Sequence, residues 1–179
     1  MKKLTATVMI LFTLTLISSC GSSAYYENAA GVFSLPYSAS VRIAEGGEVF
    51  EAGLVRGEDG RLELSFLEPS LLCGISYGFD EDGSYLSYNG ITVKLGDENV
   101  KDKVSHGVYV WRGLLEPDSK QLTGRKIKDG EKTYIVLTDG QTEYRLDKES
   151  GAPVLITSGD TVISFTEFTK NADLPEGTG

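Results

Sequence analysis

The stretch ISYGFDEDGSYLSYNGITVKL, residues 75–95, decides the fold class. Apolar side chains alternate at Ile75, Tyr77 and Phe79, the turn signal Asp80-Glu81-Asp82-Gly83 follows, and a run ending at Tyr88 leads to Asn89-Gly90 and then Ile91, Val93 and Leu95. A period of two places one set of side chains on one face of a strand. Glycine after Asp or Asn supplies the positive φ that a tight hairpin requires. The two turns therefore join three antiparallel strands sharing an apolar face.

The same pattern extends in both directions. Turn signals stand at Glu45-Gly46-Gly47, Glu58-Asp59-Gly60, Asp129-Gly130, Asp139-Gly140, Ser150-Gly151 and Ser158-Gly159-Asp160. Between them lie alternating sets such as Tyr37/Ala39/Val41/Ile43, Phe50/Ala52/Leu54, Leu62/Leu64/Phe66, Tyr144/Leu146, Val154/Ile156 and Ile163/Phe165. One strand between successive signals predicts about ten, enough for a strongly curved antiparallel sheet or incomplete β-barrel in a mainly β (α+β) domain.

One segment departs from this pattern. From Asp97 to Leu115 apolar residues recur at Val100, Val104, Val108, Trp111 and Leu115, which is helical spacing. Gly107 and Val110 weaken it, so the expectation is a kinked helix or two short ones, stopped near Glu116-Pro117. Its apolar stripe needs cover, and the concave face of the sheet is the available surface. The expected architecture is thus a curved sheet with a helical lid or plug.

The N-terminus reads as an export signal. Met1-Lys2-Lys3 is a short positive region, Leu4 to Ile17 an apolar one too short to span a bilayer, and Ser18-Ser19-Cys20 a small-residue cleavage site. Leu16-Ile17-Ser18-Ser19-Cys20 resembles the bacterial lipoprotein signal, which implies a signal peptide over 1–19 and an acylated, mature N-terminus at Cys20. Two or three acyl chains, at about 0.8 kcal/mol per buried methylene, would hold the protein at an extracytoplasmic membrane face. Residues 20–30 read as the lipidated N-terminus and a spacer, although Tyr25 and Tyr26 could open a short helix; 31–168 reads as the folded domain and 169–179 as a flexible tail.

Composition limits the chemistry. The chain has 179 residues, one His, two Cys and a formal net charge of −9, two units more negative without Lys2 and Lys3. That balance argues against nucleic acid and anionic surfaces as electrostatic partners. Asp102, Ser105 and His106 sit too close along one helix to form a triad and read as a solvated helix face. Asp80-Glu81-Asp82-Gly83 lacks the spacing of a calcium loop and reads as a hairpin turn. Cys73, between Leu72 and Ile75, reads as a small buried hydrophobe. Without a phosphate loop, a nucleophile elbow or a metal cluster, the reading is a non-enzyme with no cofactor.

Residues in several places are similar to one family. The lipobox, Tyr37-Ser38-Ala39-Ser40-Val41-Arg42-Ile43, Leu62 to Phe66 with Glu68-Pro69, the Tyr88-Asn89-Gly90 turn, the helix, and Tyr144 to Val154 with its Leu-Asp-x-x-x-Gly-x-Pro run resemble, in that order, the LolA-like lipoprotein superfamily. The resemblance implies an incomplete barrel with a helical lid over an apolar cavity that binds acyl chains or, in some members, a protein partner. The carriers of that family tend to have a basic residue before the proline after the third strand; this chain has Leu67-Glu68-Pro69, which points away from a shuttle.

Two functions follow as expectations. In the first, a membrane-anchored lipoprotein binds an acyl chain or lipidated ligand between sheet and helix, in a cavity lined by Leu64, Phe66, Val108, Trp111 and Leu115. In the second, those bulky residues fill the space and the half-barrel is a tethered interaction or regulatory module for another envelope protein. A void of a few hundred Å³ beneath the helix favours the first and a packed core the second.

Overall fold

The structure, a computed structural model, describes residues 24–95 and 103–170, with side chains from 107 onward in the second segment. The signal segment, Cys20, Val100, Asp102 and the tail after Lys170 lie outside the described residues, as do the side chains of Val104, Ser105 and His106. Residues 24–30 form helix α1, continued by a 3-10 turn over Gly31–Ser34. Six strands follow: β1 (Tyr37–Glu45), β2 (Glu48–Arg56), β3 (Leu62–Glu68), β4 (Ile75–Asp80), β5 (Gly83–Tyr88) and β6 (Ile91–Leu95). After helix α2 (Lys103–Leu115) come β7 (Thr123–Asp129), β8 (Lys132–Thr138), β9 (Thr142–Asp147), β10 (Pro153–Ser158) and β11 (Thr161–Lys170).

Among the described residues the eleven strands form one sheet in the order β6-β5-β4-β3-β2-β1-β11-β10-β9-β8-β7. The chain builds one wing outward from β1 to β6, passes through α2, and returns from β7 at the opposite edge until β11 pairs antiparallel with β1. The sheet is curved and unclosed, the incomplete barrel that the turn spacing predicts. Two intervals between turn signals hold two strands each: β3 and β4 lie between Gly60 and Asp80, and β6 and β7 lie on either side of α2. The β3–β4 connection carries a 3-10 turn over Ser70–Leu72, with Leu71 88% exposed. Cys73 is correspondingly exposed rather than buried, its Sγ donating to the Leu67 carbonyl.

The hairpin turns form where the sequence placed them. Asn89 and Gly90 have φ of 49° and 80°, and the Asp82 amide donates to Asp80 Oδ1 at 2.8 Å in the β4–β5 turn. Tyr37, Val41, Ile43, Leu54, Leu64, Tyr77, Leu146 and Ile163 all point to the concave side and are buried in one cluster. Two bulges, at Ser40/Val41 against β11 and at Glu51/Ala52 against β3, flank the central β1–β2 pair. Bulges bend the strand and sharpen local twist, which suits a sheet wrapping its own core.

Over the described residues α2 is one uninterrupted helix, Lys103–Leu115, and residues 97–102, where the helical spacing begins, lie outside them. Gly107 lies within the helix, where a Cβ would stand 3.4 Å from both Glu45 Oε2 and the Trp111 ring. Part of the expected spacer is also folded. Ala30, Val32 and Phe33 are buried, Phe33 meets Tyr144 edge-on at 5.6 Å, and the Tyr26 ring lies directly on the β7 backbone at Gly124. α1 therefore covers the β7–β9 side of the concave face while α2 covers the β1–β4 side.

That contact is testable. Gly124→Val puts a branched side chain into the Tyr26 ring and is expected to cost about 1–3 kcal/mol in urea denaturation, the range for overpacking. In a Tyr26→Ala background the cost of Gly124→Val should fall below about 0.5 kcal/mol.

Candidate functional site

The candidate site is the junction of α2 with the concave face of β1–β4. Val108, Trp111 and Leu115 recur at i, i+3 and i+7, and all three are no more than 2% exposed. Leu64 and Phe66, at alternate positions of β3, face the same way and are equally buried, so the structure brings the five predicted residues into one cluster. Trp111 is its centre. Its ring stands 5.2 Å from Phe50 and 6.2 Å from Phe66, and Phe66 in turn meets Phe50 at 6.0 Å and Tyr77 at 6.2 Å. Such tilted and edge-on aromatic pairs contribute about 0.5–1.5 kcal/mol each beyond the area they bury.

Polar contacts tie the helix down at two points that the sequence reading missed. The Trp111 indole N–H donates to Glu45 Oε2 at 2.8 Å, and the Thr161 hydroxyl donates to the other oxygen of the same carboxylate at 3.3 Å. Glu45 is the last residue of β1 and Thr161 the first of β11, so one half-buried carboxylate joins helix, β1 and β11. At the other end of β2, Glu116 accepts from Arg56 Nη1 and from Arg112 Nε, both at 2.8 Å. Arg112 also lies over the Phe79 ring, 5.0 Å from its centroid.

Charge at this second clamp is finely balanced. Partial burial works to raise the Glu116 pKa, but hydrogen bonds and attraction from Arg112 and Arg56 together more than offset it, and the carboxyl titrates below its ordinary value of 4.5. Tyr37, opposite Arg56 in register, is fully buried, and loss of hydration keeps its hydroxyl neutral far above the usual phenol range. Among the described residues that hydroxyl has no hydrogen-bond partner. It lies beside the clamp.

Two grooves of about 160 and 340 Å³ share Ser40 and Glu167 and lie along β1 and β2, bordered by the two bulges and on the convex side, away from α2. Among the described residues no group of three His, Cys, Asp or Glu could hold a metal ion, and no helix is long and apolar enough to cross a membrane.

Both clamps make measurable predictions. Trp111→Phe keeps the ring stack but removes the donor to Glu45, and should cost about 1.5–3 kcal/mol, the range for a hydrogen bond to a charged group. For Glu116, whose folded pKa is depressed, the stabilisation is present above its unfolded pKa and lost as pH falls through the lower folded value. Unfolding followed from pH 7 downward should therefore show a loss of stability beginning near the ordinary carboxylate range that is reduced in Glu116→Gln.

No protein-family model matches the chain, and no curated protein matches it. Solved structures do. An uncharacterized conserved protein from Thermus thermophilus superposes with a TM-score of 0.54 at 14% identity, covering 83% of this chain and 87% of that one. MucB superposes with a TM-score of 0.52 at 14% identity over 88% of this chain, which spans 62% of MucB. A LolA superfamily protein, NE2245 from Nitrosomonas europaea, is also among the matches, at a TM-score of 0.41 and 8% identity over 86% of this chain and 94% of that one. At these identities the first two share a fold with this chain, that of the unclosed antiparallel sheet.

Proposed function

We propose that the protein is an extracytoplasmic lipoprotein, anchored to the bacterial membrane through an acylated Cys20, and that it works as a non-catalytic binding module for another protein of the cell envelope. The packing of Trp111 is the observation that carries the second part. Phe50, Phe66, Tyr77 and Trp111 stand ring against ring between helix and sheet, where a ligand pocket would need a few hundred Å³. Two carboxylates then hold α2 in place. This arrangement has the character of a core, which supports a module that binds through its surface.

The short tether supports a role close to the bilayer. Residue 24 already belongs to α1, and Gly21, Ser22 and Ser23 stand between it and Cys20 in the sequence. Even fully extended, that link reaches no more than about 14 Å at the usual rise per residue.

A second reading, uptake of an acyl chain or lipidated ligand, has its own observation. Tyr88, Ile91 and Val93 face the concave side of β5 and β6 and remain exposed, so an apolar wall stands beside the helix. Entry beneath α2 would require breaking the Trp111–Glu45 and Arg56–Glu116 contacts.

Two measurements test these readings. Cys20→Ser should abolish incorporation of a palmitate analogue and move the protein from the membrane to the soluble fraction; a variant that stays membrane-bound contradicts the anchor. Native mass spectrometry of an unlipidated chain starting at Gly21, purified without detergent, should give the bare polypeptide mass. Lipid-mass adducts that disappear in Trp111→Asp would establish the acyl reading instead.

A further inference from the structure

The two edges of the sheet are built differently. β7 carries Arg125, Lys126 and Lys128, and α1 lays Tyr26 on its backbone and Tyr25 against Lys126, 4.5 Å from ring centroid to Nζ. β6 has no comparable cover among the described residues: Ile91 is 68% and Val93 52% exposed.

Hairpin geometry settles which backbone groups of β6 are open. Tyr88 pairs with Ile91 across the two-residue turn Asn89-Gly90, so the hydrogen-bonded pairs are Tyr88/Ile91, Leu86/Val93 and Ser84/Leu95. Thr92 and Lys94 alternate with them, and their N–H and C=O groups point away from β5. Among the described residues, no hydrogen bond outside the sheet is made by these groups. Open edges are commonly guarded by a lysine projecting along them. Here Lys94 folds back instead: its Nζ lies 5.9 Å from the Tyr85 ring centroid, and its Cε packs 3.3 Å from where a Cβ on Gly83 would stand.

Side chains around the edge add direction. At the Ile91 end the surface is apolar, with Tyr88 at the neighbouring position. At the Leu95 end, the β4–β5 turn presents Asp80, Glu81 and Asp82, of which Glu81 and Asp82 are exposed.

We propose that β6 is a docking edge that accepts an extended segment of a protein partner as an added antiparallel strand. Apolar residues at alternate positions of that segment would cover Ile91 and Val93, and basic residues at its N-terminal end would lie beside Asp80, Glu81 and Asp82. Unpaired backbone groups require donors and acceptors in register, which a peptide supplies and an acyl chain does not. The acidic turn selects a cationic end. The inference rests on the interaction reading and names the partner's chemistry.

The test uses the folded chain from Gly21 and a labelled eight-residue peptide with valine at alternate positions and two N-terminal lysines, followed by fluorescence anisotropy. Saturable binding is expected, weakened by at least about tenfold in Thr92→Pro, which removes one outward amide without touching a backbone hydrogen bond between β5 and β6. Val93→Lys should weaken it similarly, and moving the lysines to the peptide's C-terminal end should weaken it further than salt screening does. Thr92→Val, which removes only the hydroxyl contact with Ser87, should bind like the wild type. Circular dichroism and urea denaturation confirm that each variant is folded. No binding by the wild type, or binding indifferent to both Thr92→Pro and Val93→Lys, overturns the docking edge. So does sedimentation showing self-association that Thr92→Pro abolishes, which would make a second copy the occupant. Lipid adducts in the native mass spectrum would instead overturn the interaction reading itself, so the two failures are distinct.

Discussion

An unclosed sheet with one apolar face cannot stay folded until that face is covered, and the burial of Trp111 against β1–β4 is the contact that covers it here. A closed barrel would bury its interior against itself. This sheet instead ends at β6 and β7, and the chain between those edges carries α2, placing Val108, Trp111 and Leu115 on the concave face. The tryptophan has both a large apolar body and a donor that must be satisfied when buried. Glu45 satisfies it at the end of β1, so the same residue that fills the core also fixes where the helix lies.

The remaining architecture follows from that constraint. α2 covers only part of the concave face, and the other wing is covered by α1, whose Tyr26 and the following Phe33 pack at Gly124 and Tyr144. Arg56, Arg112 and Glu116 hold the far end of α2 by a charge balance that burial alone would oppose. The Arg56–Glu116 pair is mostly buried. Removing either partner would leave a charge in a place where hydration cannot fully replace it.

Much of the fold was legible from local chemistry. Asn89-Gly90 announces a hairpin because few other pairs tolerate a positive φ at both positions, Gly83 supplies one beside the β4–β5 turn, and Tyr77/Phe79 or Leu62/Leu64 announce a buried strand face through a period of two. What escaped the reading has no local signature. Cys73, beside Leu72 and Ile75, reads as buried but stands exposed in the β3–β4 connection, because only the pairing of those strands shows where the sheet turns. Tyr25 and Tyr26 do suggest a short helix in the run up to Ala30, but nothing local shows that it packs on a glycine of β7 almost a hundred residues away. The five candidate site residues could be gathered by their faces, whereas Glu45–Trp111 and Arg56–Glu116 join positions 66 and 60 residues apart. Such contacts become visible only once the sheet is assembled.

A packed module requires that α2 belong to the core and not act as a lid. Native-state hydrogen exchange tests this directly, because cooperative units exchange together and mobile covers exchange early. Amides of α2 from Gly107 to Leu115 should be protected to nearly the same free energy as those of β1 and β2, all exchanging through global unfolding. If α2 exchanges orders of magnitude faster while β1 and β2 remain protected, the helix opens on its own, and the packed-module account is wrong.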